Sequence, residues 1–320
     1  MVRGSVDLHS GATHTSTESE IRYNPVEARN AGACSGELAM TTQYSPKDED
    51  SHEDMSAEAV IARAIARRGE IFDEFRLLAQ ESPHTYDLIS RTAGYMHHYA
   101  GEEGAGQNLS GTMRELIALC QLCAKGDDRF AANHVRRLWQ RGVTNKVMVE
   151  AATSIAPIVG WSTIAHVTLA ILTADDPAYP FGKRPADGAP KTLTAFPELQ
   201  LGRDPAGNVN AGLLQTPEWQ YVAALDAELA RRAARWVDHC LLPDGAAGEL
   251  LGPGPRELIA LAALCARGEV EFAAQHIRRA YRCGMSRLQV LEAISCVLPM
   301  TGALTVQIGV RAMQLVDAQP

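Results

Sequence analysis

Two histidines set in apolar helical stripes are the residues of this sequence best placed to do chemistry. His134 stands among Phe130, Ala131, Val135 and Leu138, and His276 among Phe272, Ala273, Ile277 and Ala280. A glutamate precedes each histidine at the same separation, Glu115 and Glu257, and an arginine precedes each glutamate, Arg114 and Arg256. Arginine pairs follow the histidines, Arg136 with Arg137 and Arg278 with Arg279. A buried carboxylate beside an imidazole fixes its tautomer and raises its pKa, giving a group that delivers or accepts a proton near neutrality. A lone histidine on an apolar face is ordinarily a hydrogen-bonded core residue. The recurrence of the same Glu and His in register is what favours a site, with the arginines read either as anion holders or as a solvated, salt-bridged face.

That recurrence is part of a longer repeat, which sets the elements that position these groups. Residues 114–142 lie over residues 256–284 at a constant offset of 142, with 17 of 29 positions identical and no gap. The same offset pairs Glu150 with Glu292, Pro157 with Pro299 and Gly160 with Gly302, and upstream it pairs His97 with His239. The chain therefore reads as a tandem duplication of a module of about 100 residues. Within the first copy, Leu116, Leu119, Cys120 and Cys123 recur at three- and four-residue steps up to Gly126, a helix-ending residue. A second helix is expected from Asp127 or Asp128 to Gly142, and a third from about Asn145, apolar nearly all round and kinked or broken near Pro157 and Gly160. Short connections make these helices antiparallel neighbours in a bundle.

Composition bounds the rest. The net charge of −8 comes with no Lys/Arg-rich block able to follow a phosphate backbone, which argues against nucleic acid. No apolar run is long enough to span a bilayer and residues 1–20 lack a signal-peptide core, so the expected location is cytoplasmic, away from membranes. Seven cysteines are taken as reduced thiols. Residues 1–56 carry ten acids against four basic residues and no sustained periodicity, so they are expected to be a disordered acidic tail. Residues 174–212 are rich in proline and glycine and are expected to be a linker over the surface, leaving folded modules at 57–173 and 213–317.

The pattern RELIAL…G…H…G, with glycine eight residues before and after the histidine, resembles the carboxymuconolactone decarboxylase family, which shares its fold with the alkyl hydroperoxidase AhpD. The stretch Tyr99 to Leu116, through Gly101, Glu102 and Leu109, is similar to the family's approach to that helix. The resemblance covers residues 70–173 and 215–315 and implies an all-α fold of two tandem AhpD-like, carboxymuconolactone decarboxylase-like helical modules. It also implies a six-module ring, here a homotrimer of the duplicated chain. Peroxidase members place a Cys-x-x-Cys between the Glu and the His. Those positions hold Asp127 and Phe130 in one repeat and Glu269 and Phe272 in the other. Cys120 and Cys123 lie seven residues too early, in an apolar stripe that suits core packing.

The expected activity is that of a cofactor-free lyase acting on a small anionic substrate, an enolisable carboxylated lactone or keto acid that supplies its own electron sink. His134 and His276 are the expected general acids, Glu115 and Glu257 orient and charge them, and Arg114 and Arg256 hold anionic oxygens. His97, His98 and His239 are expected to line the same cavity. No His, Cys or carboxylate set has convincing metal-ligand spacing, so no metal is expected. Two other classes of function make different demands. A binding or scaffold protein requires a packed interior around His134 and His276. A hydroperoxide reductase requires exposed, acidic thiols at Cys120 and Cys123.

Overall fold

The computed structural model describes residues 54–97, 108–181, 197–200, 216–241 and 251–318. Among these every regular element is helical. Most of the expected acidic tail lies outside the described residues, and the first helix begins at Ala57.

Three helices, α1 (Ala57–Arg68), α2 (Asp73–Glu81) and α3 (Pro83–His97), lead into the first repeat. That repeat is built from α4 (Gly111–Ala124), α5 (Asp128–Gln140), α6 (Asn145–Val159) and α7 (Ser162–Asp175). After it come α8 (Pro217–Leu225), α9 (Ala227–Leu241), α10 (Pro253–Arg267), α11 (Val270–Arg282), α12 (Arg287–Ser295), α13 (Leu298–Thr301) and α14 (Ala303–Asp317). In the register of the repeat, α11 starts and ends where α5 does, and α10 starts where α4 does. Local chemistry explains the boundaries. Ser110 caps α4 by accepting from Met113 N, and Asp127 caps α5 by accepting from Phe130 N. Gly126 and Gly268 follow α4 and α10 with φ of +77° and +84°, a conformation that costs other residues energy. Helix α6 runs through Pro157, whereas the corresponding stretch of the second repeat breaks between α12 and α13 ahead of Pro299.

Helices α4 and α10 form the centre. Every residue from Thr112 to Cys123 is buried, as is every residue from Gly254 to Cys265. Each packs on the helix that follows it, and the two pack on one another, so one continuous apolar core runs through both repeats. Residues 53–320 accordingly form one unit.

Of the segment expected to be a surface linker, residues 182–196 and 201–212 lie outside the described residues. Helix α7 runs to Asp175, past the expected boundary at 174, and Pro197–Gln200 forms a 3-10 turn. Leu199 in that turn is fully buried, and its carbonyl accepts from Gly252 N at 2.7 Å, just ahead of α10. Proline and glycine exclude long helices but not burial of a single leucine.

A second register operates upstream. Helices α8 and α9 match α2 and α3 residue for residue at an offset of 144, not 142. The connection from α3 to α4 spans residues 98–110 and that from α9 to α10 spans 242–252, two residues fewer. The structural counterpart of His97 is therefore Leu241, and the pairing of His97 with His239 does not hold in space.

Candidate functional site

Helices α4 and α5 bring Glu115 and His134 together as expected from their spacing. His134 Nδ1 lies 2.5 Å from Glu115 Oε2, and in the second repeat His276 Nδ1 lies 2.6 Å from Glu257 Oε2. Both glutamates are about 1% exposed. An arginine one turn after each histidine completes the frame: Arg137 Nη1 lies 3.5 Å from Glu115 Oε1, and Arg279 Nε donates to Glu257 Oε1 at 2.9 Å.

The electrostatics follow from this sharing. Burial alone would raise the Glu115 pKa, but Arg137 and His134 hold it well below the ordinary carboxylate range. Glu257 is likewise lowered: His276 and Arg279 together outweigh its burial. Both carboxylates are thus ionised and accept from Nδ1–H, which leaves Nε2 as the reactive nitrogen. The expectation of a raised imidazole pKa fails at His276. Burial, with Arg279 adding to it, lowers the pKa despite the attraction of Glu257, so this imidazole rests neutral. Burial also drives His97 down to about 3.

Each histidine faces a cavity. The first, of about 270 Å³, is bordered by His134, Arg137, His97, Asn133, Asp127 and Phe130, with Phe72, Phe75, Tyr86 and Phe181 on an aromatic wall. The second, of about 280 Å³, is bordered by His276, Arg279, Leu241, Gln275, Glu269 and Phe272. Pro299 and Met300 of the second repeat close the first cavity, and Pro157 and Ile158 of the first repeat close the second. The positions where peroxidases would carry cysteines do border the cavities, holding Asp127, Phe130, Glu269 and Phe272. The packed interior required of a scaffold protein is not what these histidines face.

Arg114 and Arg256, expected to hold substrate, do something else. They border neither of these cavities and are 1% and 2% exposed. Arg114 donates to Glu292 Oε2 at 2.5 Å and to the carbonyls of Met96 and Leu109. Arg256 pairs with Glu150 and donates to the carbonyls of Cys240 and Leu251. Each repeat thus supplies the glutamate that neutralises the other's arginine. On a helix, neighbours in sequence point about 100° apart, so Arg114 and Arg256 point away from the faces on which Glu115 and Glu257 meet their histidines. Arg137 and Arg279, three residues after the histidines, share their face and are the site arginines. Arg136 turns away to donate to the carbonyls of Ala174 and Phe181.

The other expected residues divide. His97 is buried, with its ring 5.5 Å from that of His134. His239 is exposed on α9 and does not border the second cavity, a consequence of the two-residue register change. His98 lies outside the described residues. Spacing along the sequence points to no metal site, and the fold brings together residues distant in the chain: His97, Glu115 and His134, on three helices, each have a donor atom within 4.8 Å of the other two. Cys120 and Cys123 are buried free thiols whose pKa values are pushed up by burial, the reverse of what a thiolate nucleophile needs.

Residues 91–173, from α3 through α7, match the model of the Carboxymuconolactone decarboxylase family. None of the curated proteins compared matches the sequence. No helix among the described residues is long and apolar enough to cross a membrane.

Proposed function

We propose that the chain, whose residues 91–173 match the model of the carboxymuconolactone decarboxylase family, is a carboxy-lyase of that type, built from two such modules. Its substrate is a small carboxylated lactone or keto acid with a carbonyl conjugated to the carbon that loses carbon dioxide. The observation that carries this reading is the duplicated His–Glu–Arg frame, each copy opening on its own cavity.

In this mechanism Arg137 or Arg279 anchors an anionic oxygen at the cavity wall. The C–C bond to the carboxylate breaks, carbon dioxide leaves, and the electron pair moves into the conjugated carbonyl as an enolate. His134 or His276 then delivers a proton from Nε2 to carbon. A bound anion favours the imidazolium form, so the substrate charges the otherwise neutral His276 as it enters, and Glu257 stabilises that charge from Nδ1. The buried carboxylates stay ionised throughout. Turnover requires only proton uptake from solvent between cycles.

Self-association into a homotrimer with six modules is part of the same proposal. Trp161, 72% exposed beside the start of α7, Leu172 on α7, 68% exposed, and Leu304 on α14, 65% exposed, supply apolar surface for contacts between chains.

The test is release of carbon dioxide from small carboxylated lactones and β-keto acids. Turnover by the wild type and its loss in a His134→Gln/His276→Gln protein with unchanged circular dichroism is the expected result. Undiminished turnover in that variant overturns the assignment.

A further inference from the structure

The two frames share Glu, His and Arg but differ in the neighbour that ends α3 in one and α9 in the other. The first places His97 beside His134, with ring centroids 5.5 Å apart, while Leu241 occupies the matching place beside His276. The arginine contact differs too: Arg279 reaches its glutamate at 2.9 Å, but Arg137 stands 3.5 Å from Glu115. The carboxylate is held less closely by its arginine in the frame that has the second imidazole.

We infer that His97, Glu115 and His134 form a binding site for one divalent first-row transition ion such as zinc, and that the second frame, with Leu241, does not. Two imidazoles and a carboxylate are a donor set suited to such ions, with bonds of about 2.0–2.2 Å. Ligands around a tetrahedral ion at those bond lengths stand about 3.3 Å apart. The three donor atoms already lie within 4.8 Å of one another, and His134 Nδ1 and Glu115 Oε2, 2.5 Å apart, separate slightly to admit the ion. Helices α3, α4 and α5 supply one ligand each.

The ion replaces the proton between His134 Nδ1 and Glu115 Oε2, so metal binding and proton transfer exclude each other at this frame. The second frame keeps its proton chemistry either way. Zinc binding at the first frame and decarboxylation at the second can therefore each fail without the other.

Metal-stripped full-length protein is titrated with zinc by calorimetry, and with cobalt(II) by visible absorption. The comparison is with His97→Leu, which copies the residue of the second repeat, and with His97→Ala. The wild type is expected to bind one more ion per chain than either variant, with any residual affinity at that site at least about 100-fold weaker, since even outer-shell changes cost 10- to 100-fold. His276→Gln should bind as the wild type does. Equal stoichiometry and affinity in the wild type and both folded His97 variants, or no binding by the wild type, overturns the inference.

Discussion

Removing Glu292 tests the reciprocal lock between the repeats. This carboxylate accepts from Arg114 Nη2 at 2.5 Å, Leu109 N at 2.8 Å, Asn108 N at 2.9 Å and Asn108 Nδ2 at 2.6 Å. In Glu292→Ala the Arg114 guanidinium, 1% exposed, loses this carboxylate, and the buried Leu109 N–H loses its acceptor. Breaking a buried pair from one side costs about 3–5 kcal/mol, and an orphaned buried N–H about 1–3 kcal/mol. The two overlap in one relaxed site, so a total of about 4–5 kcal/mol is expected, a large share of the ordinary stability of a domain. Denaturant unfolding followed by far-UV circular dichroism measures it. Glu292→Gln, which keeps an acceptor for the loop N–H groups, should lose less. Arg114→Met/Glu292→Met, which removes both charges, should recover much of the deficit. Glu228 is the control: it pairs with Arg231 and Arg232 on the surface, and Glu228→Ala should barely move the midpoint. A loss below about 1 kcal/mol for Glu292→Ala, comparable to an exposed pair, means that this lock does not hold the repeats together.

Other outcomes follow from the same geometry. His276 has its pKa lowered in the fold, so the unfolded chain binds more protons below about pH 6.5; stability should decline as pH falls from there, by up to about 1.4 kcal/mol per unit, and His276→Gln should flatten that slope. Glu257 adds in the same direction at lower pH, its contribution disappearing as pH falls below the ordinary carboxylate range toward its lowered folded value. Alkylation of the native protein, mapped by mass spectrometry, should spare Cys120 and Cys123, and rapid labelling of either contradicts their burial. A Cβ on Gly309 would overlap the Ile294 side chain, so Gly309→Ala should cost about 1–3 kcal/mol in the same unfolding assay. Sedimentation should give a mass three times that of the 34.5 kDa chain, and a monomer removes the trimer from the proposal.

The helical fold and the Glu–His pairing were legible in the sequence because both rest on local periodicity. Glu115 and His134 face one another across a short helix–turn–helix, and the repeat states the same pairing twice. What the sequence hid depends on contacts between distant segments. Arg114 sits beside Glu115 in the chain, yet it answers to Glu292, 178 residues away. His239 matches His97 by a simple offset, but a connection two residues shorter puts Leu241 in its place. Arg137 carried a usable signal, since it lies three residues after His134 on the same helical face. Phe181 and Leu199 looked like linker residues, and only the packed structure reveals that one borders a cavity and the other fills the core.

If the two His–Glu–Arg frames move a proton to and from an enolisable carbon, the proton must leave a record in the product. Deuterium incorporation reads it: a small carboxylated lactone or β-keto acid is incubated with the protein in deuterium oxide and the product is followed by NMR. Deuterium at the carbon that lost carbon dioxide, formed by the wild type and absent with His134→Gln/His276→Gln, is the predicted result. Enzyme-dependent incorporation that persists undiminished in that folded double variant contradicts proton delivery by these histidines.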